Sequence, residues 1–154
     1  MRDETQEWPC ATGPSPGQSP GQAVSEADII CTATTSAQPV FNDADLQSGV
    51  HINGIGSYTP ETSEVPPETV ARATVVVDSR EAALAEVGDL IRPILQGRFW
   101  PERIHAELGE IVLDMKPGRG HGDGLTFFKS VGVAAQDASA ASLALKNAMD
   151  MGLG

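Results

Sequence analysis

Apolar residues in this chain come in short runs separated by polar text rich in glycine and proline. Two of them, Ile29–Ala33 and Val50–Ile55, stop at small or hydroxylated residues, Thr34-Thr35-Ser36 and Gly56-Ser57-Tyr58-Thr59. Runs of that kind predict buried strands of a parallel sheet whose carboxyl ends open on a crevice. The same endings also fit plain strand-to-helix loops. Between the runs, Asn42 or Asp43 ahead of Asp45-Leu46 predicts a capped helical turn, giving a strand, crossover, strand unit. Short helices are expected from Pro20 and from Pro66 to Val70, each with proline in the first turn. The β-branched run within Ala73–Val77 predicts a central strand.

Asp78, with Glu81 three residues on, predicts a cap for a helix that places Leu84, Val87 and Ile91 on one face and is broken by Pro93. Pro101 predicts another helix carrying Ile104 and Leu108, with Ile111-Val112-Leu113 packed beneath it. Leu125–Val131 reads as the last strand. A long helix to Met149 follows, on which Ala134, Ala138, Ala141, Leu145 and Ala148 form a narrow stripe of mostly small residues. The expected fold is layered α/β, partly Rossmann-like, with about four mainly parallel strands, flanking helices and a long carboxyl-terminal helix.

The first stretch does not join this pattern. Pro9, Pro14, Pro16 and Pro20 fall among its residues and no hydrophobic period runs through it, so residues 1–18 are expected to be a disordered arm. With 154 residues, 40% of them hydrophobic, the chain can bury one ordinary core. A net charge of -11 repels phosphate backbones and anionic lipid, which argues against nucleic acid and membrane as partners. No run approaches the roughly 20 apolar residues of a membrane helix, and the acidic start is unlike a secretory signal. A reducing, cytoplasmic setting is expected. Cys10 and Cys31 make no disulfide framework, and Cys31, inside an apolar strand, reads as filler.

Generic chemical motifs are few. The chain has no GxGxxG, P-loop, GxSxG, CxxC or HExxH, and His51, His105 and His121 are scattered, so no metal site is expected. Lys116–Gly124 holds four glycines and a proline and reads as a mobile loop rather than a phosphate cradle, because Asp123 stands where a third glycine is needed. Ser57, His51 and an aspartate make only a weak hydrolytic constellation, and His51 within a strand reads as a satisfied core histidine.

The segments ADIICTATTS, HINGIGSYTPETSEV, ELGEIV, KPGR and TFFKSVGVAAQDASAASLALKNA resemble, in unbroken order, the carboxyl-terminal half of the ornithine cyclodeaminase/mu-crystallin family. Its members are NAD(P)-dependent enzymes that include ketimine reductases and certain alanine dehydrogenases. The resemblance runs from about Ser19 to Gly154. It implies a truncated NAD(P)-binding Rossmann-like domain over 19–132 and, over 133–154, a terminal helix that joins the family's dimerisation domain, here a possible homodimer contact. The loop at 116–124 departs from the family pattern.

By that resemblance Thr34, Ile52, Asn53, Gly54, Ile55 and Ser130 contact NAD or NADP, and Val131 borders the substrate, a small amino acid or cyclic imine. Tyr58 stands at the position of the aspartate that handles protons in ornithine-deaminating members. A phenol is a poor base at neutral pH, so imine reduction or amino-acid oxidation suits the site better than ornithine cyclisation. The family's dinucleotide fingerprint and substrate-carboxylate residues would lie upstream of Ser19. The expected function is therefore a truncated NAD(P)-dependent amino acid/imine oxidoreductase or deaminating lyase, inactive as an isolated chain. The alternative is a non-catalytic remnant acting as an interaction module.

Overall fold

The computed structural model describes residues 19–120 and 124–153. The arm expected over 1–18 lies outside them, as do His121, Gly122 and Asp123 of the glycine-rich loop. Five parallel strands, β1 (Ile29–Thr32), β2 (His51–Gly54), β3 (Thr74–Val77), β4 (Ile104–Glu107) and β5 (Thr126–Lys129), form one sheet in the order β1-β2-β5-β3-β4. Six helices accompany them: α1 (Pro20–Ser25), α2 (Pro67–Arg72), α3 (Arg80–Glu86), α4 (Gly88–Leu95), α5 (Leu108–Val112) and α6 (Ala134–Asp150). The chain steps one way across the sheet from β1 to β4, leaving a gap that β5 later fills. Returning to that gap reverses the direction of winding, as in a doubly wound Rossmann-like sheet.

Strand parity determines the core. Ile30, Ile52, Phe127, Val75 and Ile104 lie side by side across the sheet, all on one face and all buried. Val70, Val87, Leu90 and Phe99 close over them from the helical layer. Burial of a large apolar side chain contributes about 1.5–3 kcal/mol, so this face supplies the cohesion of the domain. The opposite parity is far more open: Ile29 is 64% exposed, Cys31 is exposed, and His51, Asn53, Val76 and Phe128 are only half-buried. Each strand is thus buried on one face of the sheet and open on the other. Cys31 is no core filler, because its parity in the edge strand points it away from the helices.

Several local expectations change for identifiable reasons. The Pro101 segment makes only a 3-10 turn, Pro101–Arg103, and then becomes strand β4, because Ile104 and Ala106 alternate inward along the free edge of β3. Val112 and Leu113 are exposed instead of packed beneath a helix. The single helix expected after β3 is two, divided at Val87, whose backbone is extended (φ -84°, ψ 107°). Pro93 lies inside α4 without ending it, since the helix runs on to Leu95. Asn42 precedes its 3-10 turn without a side-chain cap bond, and Asp43 instead accepts from Thr69 Oγ1 (2.6 Å) and Arg72 Nε (2.9 Å).

The cap of α3 is Ser79 rather than Asp78, its Oγ accepting from Ala82 N–H. Replacing Ser79 by alanine should cost about 1 kcal/mol of stability in urea unfolding, the usual value of such a cap; no loss would mean that the bond, 3.4 Å long, carries nothing.

Candidate functional site

Parallel strands deliver their carboxyl ends to the same edge of a sheet, and ligands of open α/β folds bind there. The loops after β1, β2 and β5 accordingly share one rim. Ile55 N–H donates to Thr32 O (2.8 Å) and Ser130 N–H to Gly54 O (3.1 Å), so the segments carrying Thr34, Ile55 and Val131 leave the sheet side by side. At this rim Thr34 and Ile55 are exposed and Ser130 and Val131 half-buried.

The other residues expected at a ligand belong to β2 and the loop after it. Ile52 is fully buried on the helical face, its side chain packed in the core. Asn53 projects from the opposite face, where Nδ2 lies 3.7 Å from Cys31 Sγ and Oδ1 lies 3.2 Å from His51 Nε2. Gly54 is buried, and its carbonyl already accepts from both Ser130 N–H and the Lys129 ammonium. Tyr58, 53% exposed, lies on the loop that follows β2, two residues past Gly56.

Buried charge underlies the rim. Glu64 is wholly buried; Oε1 accepts the Thr34 N–H and Oε2 the Gly56 N–H (2.8 Å). Lys129, also wholly buried, donates to Gly54 O and Ser130 O, each at 3.0 Å. Asp78 Oδ2 accepts from Ser130 Oγ (2.8 Å), Val131 N–H (2.9 Å) and Gly132 N–H (2.8 Å). Asp89, also buried, accepts at Oδ1 from Ser63 Oγ and from the Glu64 and Val65 N–H groups, while its Oδ2 has no hydrogen-bond partner among the described residues.

Two of these buried groups titrate away from their ordinary ranges. Burial pushes the Asp89 carboxyl up, against the pull of its hydrogen bonds and of Lys129. Burial likewise pushes the Lys129 ammonium down, opposed by Asp89, Glu64 and Asp78. Sequence reading passed over all of these as site elements. Lys129 left a signal, being a cation at the inward parity of Leu-Thr-Phe-Phe-Lys; Glu64 and Asp89, in loop and helix text, left none.

The remaining candidates separate in space. His51, at the start of β2, bonds Thr126 Oγ1 (2.7 Å) and Asn53, so it is satisfied, though on the open face rather than in the core. Ser57 lies beyond the other end of the same strand, buried, donating to Thr62 O (2.9 Å) and accepting from Asp89 N–H (3.1 Å). No hydrolytic pair forms from them. Arg119 of the glycine-rich loop reaches Gly49 O and Thr126 Oγ1 at the amino ends of the strands, away from the rim. No metal-holding cluster occurs among the described residues, and no helix among them is long and apolar enough to cross a membrane.

The model of the ornithine cyclodeaminase/mu-crystallin family matches residues 15–152. The chain belongs to that family. It is 47% identical over 136 residues to a Delta(1)-pyrroline-2-carboxylate reductase of Bacillus cereus, covering 88% of this chain and 42% of that one. To the ketimine reductase mu-crystallin of Macropus fuliginosus it is 42% identical over 122 residues, 79% of this chain and 36% of the relative.

Among solved structures, the Thermococcus litoralis Delta(1)-pyrroline-2-carboxylate reductase in complex with NADH and L-proline superposes with a TM-score of 0.83 at 41% identity, covering 88% of this chain and 42% of that one. An archaeal alanine dehydrogenase dimer with bound NAD gives 0.80 at 33% identity, covering 89% of this chain and 42% of that one. The family member thus spans less than half the length of these relatives.

Proposed function

We propose that this chain carries the nicotinamide end of an NAD(P)-dependent imine-reducing site, and that it does not turn over substrate alone. The observation that carries this reading is the shared rim of β1, β2 and β5. There an exposed apolar side chain, Ile55, lies beside the hydroxyl-bearing Thr34 and Ser130. Such a surface suits a flat ring with a carboxamide, the apolar side taking the ring and the hydroxyls the amide. When bound, the cofactor would supply a hydride to the carbon of a carbon–nitrogen double bond. The residues here would hold and orient the ring, Val131 would border a small cyclic imino acid, and the Tyr58 hydroxyl is the candidate for the proton that nitrogen receives.

Ile52 and Asn53 have no contact in this proposal, because one is in the core and the other faces away. The 154 residues contain no GxGxxG turn to receive a pyrophosphate on a helix amino terminus. Turnover would therefore need that part of the site from elsewhere. A second reading, a non-catalytic interaction module, is favoured by α6, which has no buried residue along its 17 positions and could serve as a contact between copies.

Thermal unfolding with NADH and NADPH separates the readings. A surviving half-site should show saturable stabilisation, about 1.4 kcal/mol at ten times the dissociation constant. A flat response up to millimolar cofactor would favour the interaction module.

A further inference from the structure

At each of the four junctions between neighbouring strands, an ionisable side chain ties the carboxyl ends together. Glu64 joins the loops after β1 and β2 through the Thr34 and Gly56 amides. Lys129 joins β5 to β2 through Gly54 O. Asp78 joins the end of β3 to the loop after β5 through Ser130, Val131 and Gly132. Glu107 joins β4 to the start of α3 through the Arg80 N–H (2.7 Å). Two of these braces, Glu64 and Asp78, hold the loops on the two sides of the rim, its two walls, and they do so with the backbone amides of the wall residues themselves.

We propose that Glu64 and Asp78 are the positioning residues of this rim, each carboxylate fixing one wall in place before anything binds there. Neither is free to meet a ligand. Glu64 is wholly buried with both oxygens engaged, and Asp78 spends Oδ2 on three donors and Oδ1 on the Ser79 N–H (2.9 Å).

A carboxylate is required because every partner is a donor. A carboxamide of the same shape keeps one accepting oxygen and turns an N–H toward an N–H at the other. Loops at strand ends are otherwise the least constrained part of an α/β domain, so the braces decide whether the walls stand at a fixed separation. The inference rests on the nicotinamide reading only for what the rim receives.

Amide hydrogen exchange in the intact chain tests it. In Glu64→Gln, Thr34 and Gly56 should exchange at least about tenfold faster while Val131 and Gly132 keep their wild-type rates. Asp78→Ala, which removes the one oxygen that takes all three wall donors, should give the reverse. Ile52 and Phe127, in the sheet interior, should be unchanged in both. NADH titration followed by amide shifts should then give a dissociation constant at least about tenfold weaker in each variant.

Unchanged wall amides would overturn the proposal. So would acceleration spread equally over rim and sheet in both variants, which signals a general folding defect, or faster wall exchange with NADH affinity intact. If the wild-type chain shows no NADH-induced shifts, the cofactor reading fails, and the exchange pattern alone decides whether the two carboxylates fix the walls.

Discussion

Lys129→Met should destabilise the domain by about 3 kcal/mol at neutral pH, because two carbonyls lose a charged donor and two buried carboxylates lose a nearby cation. Methionine matches lysine closely in length, so the volume at this fully buried position in β5 is kept and the change is electrical. Gly54 O would keep Ser130 N–H as a donor but lose the ammonium, and Ser130 O would lose the ammonium as well. The larger cost falls on Asp89 and Glu64, both buried and both in the field of that ammonium. Urea unfolding at pH 7 measures it, and a loss below about 1 kcal/mol would mean that these carboxylates do not depend on the lysine.

The sign of the pH dependence follows from the two shifted groups. Asp89 has its folded pKa raised above the ordinary 3.8, so its stabilising protonated form is fully present below 3.8 and is lost as pH rises through the folded value. Lys129 has its folded pKa lowered below 10.5, so stability rises as pH climbs from the folded value toward 10.5. Removing Lys129 abolishes the second effect and, by deleting a cation that pulls the Asp89 pKa down, extends the first to higher pH. The deficit of Lys129→Met against wild type should therefore shrink as the solution is acidified toward pH 4. A deficit that grows on acidification would contradict the assignment of charge.

How far the chain could be read in advance depended on which force acted where. The runs at 29–33, 50–55 and 73–77 were legible because β-branched and apolar side chains form strands almost wherever they can be covered. The Ile104–Glu107 strand was not, since Ile-His-Ala-Glu has no such run and becomes a strand only because β3 offers it an edge. Asp78 was legible as a polar group at a helix start, but its partner lies 52 residues downstream at Ser130, a separation no local rule reaches. The rim itself was visible as strand endings rich in threonine, serine and glycine. What steadies it, Glu64 beneath Thr34 and Gly56, depends on a loop folding under two others, and that contact is tertiary. The openness of one sheet face was likewise hidden, because Ile29, Val76 and Phe128 are as apolar as their buried neighbours.

Gly56→Ala should be as damaging to the rim as Lys129→Met is to the core beneath it. A Cβ at Gly56 would press into the backbone nitrogen and oxygen of Thr34 and lie 2.6 Å from Glu64 Oε1. The Thr34 atoms are backbone and cannot swing aside, so the loops after β1 and β2 must part. The cost should fall at the upper end of the range for overpacking, about 3 kcal/mol. Any NADH-dependent stabilisation should vanish with it, because the Thr34 wall moves off its carboxylate. Gly97→Ala provides the contrast: Gly97 has a φ of +68° with nothing within 4 Å of an added Cβ, far from the rim. There the loss should be about 1 kcal/mol from the left-handed backbone alone, and any NADH response should survive. Equal NADH responses in the two variants would show that close approach of the loops at Gly56 has no bearing on what the rim binds.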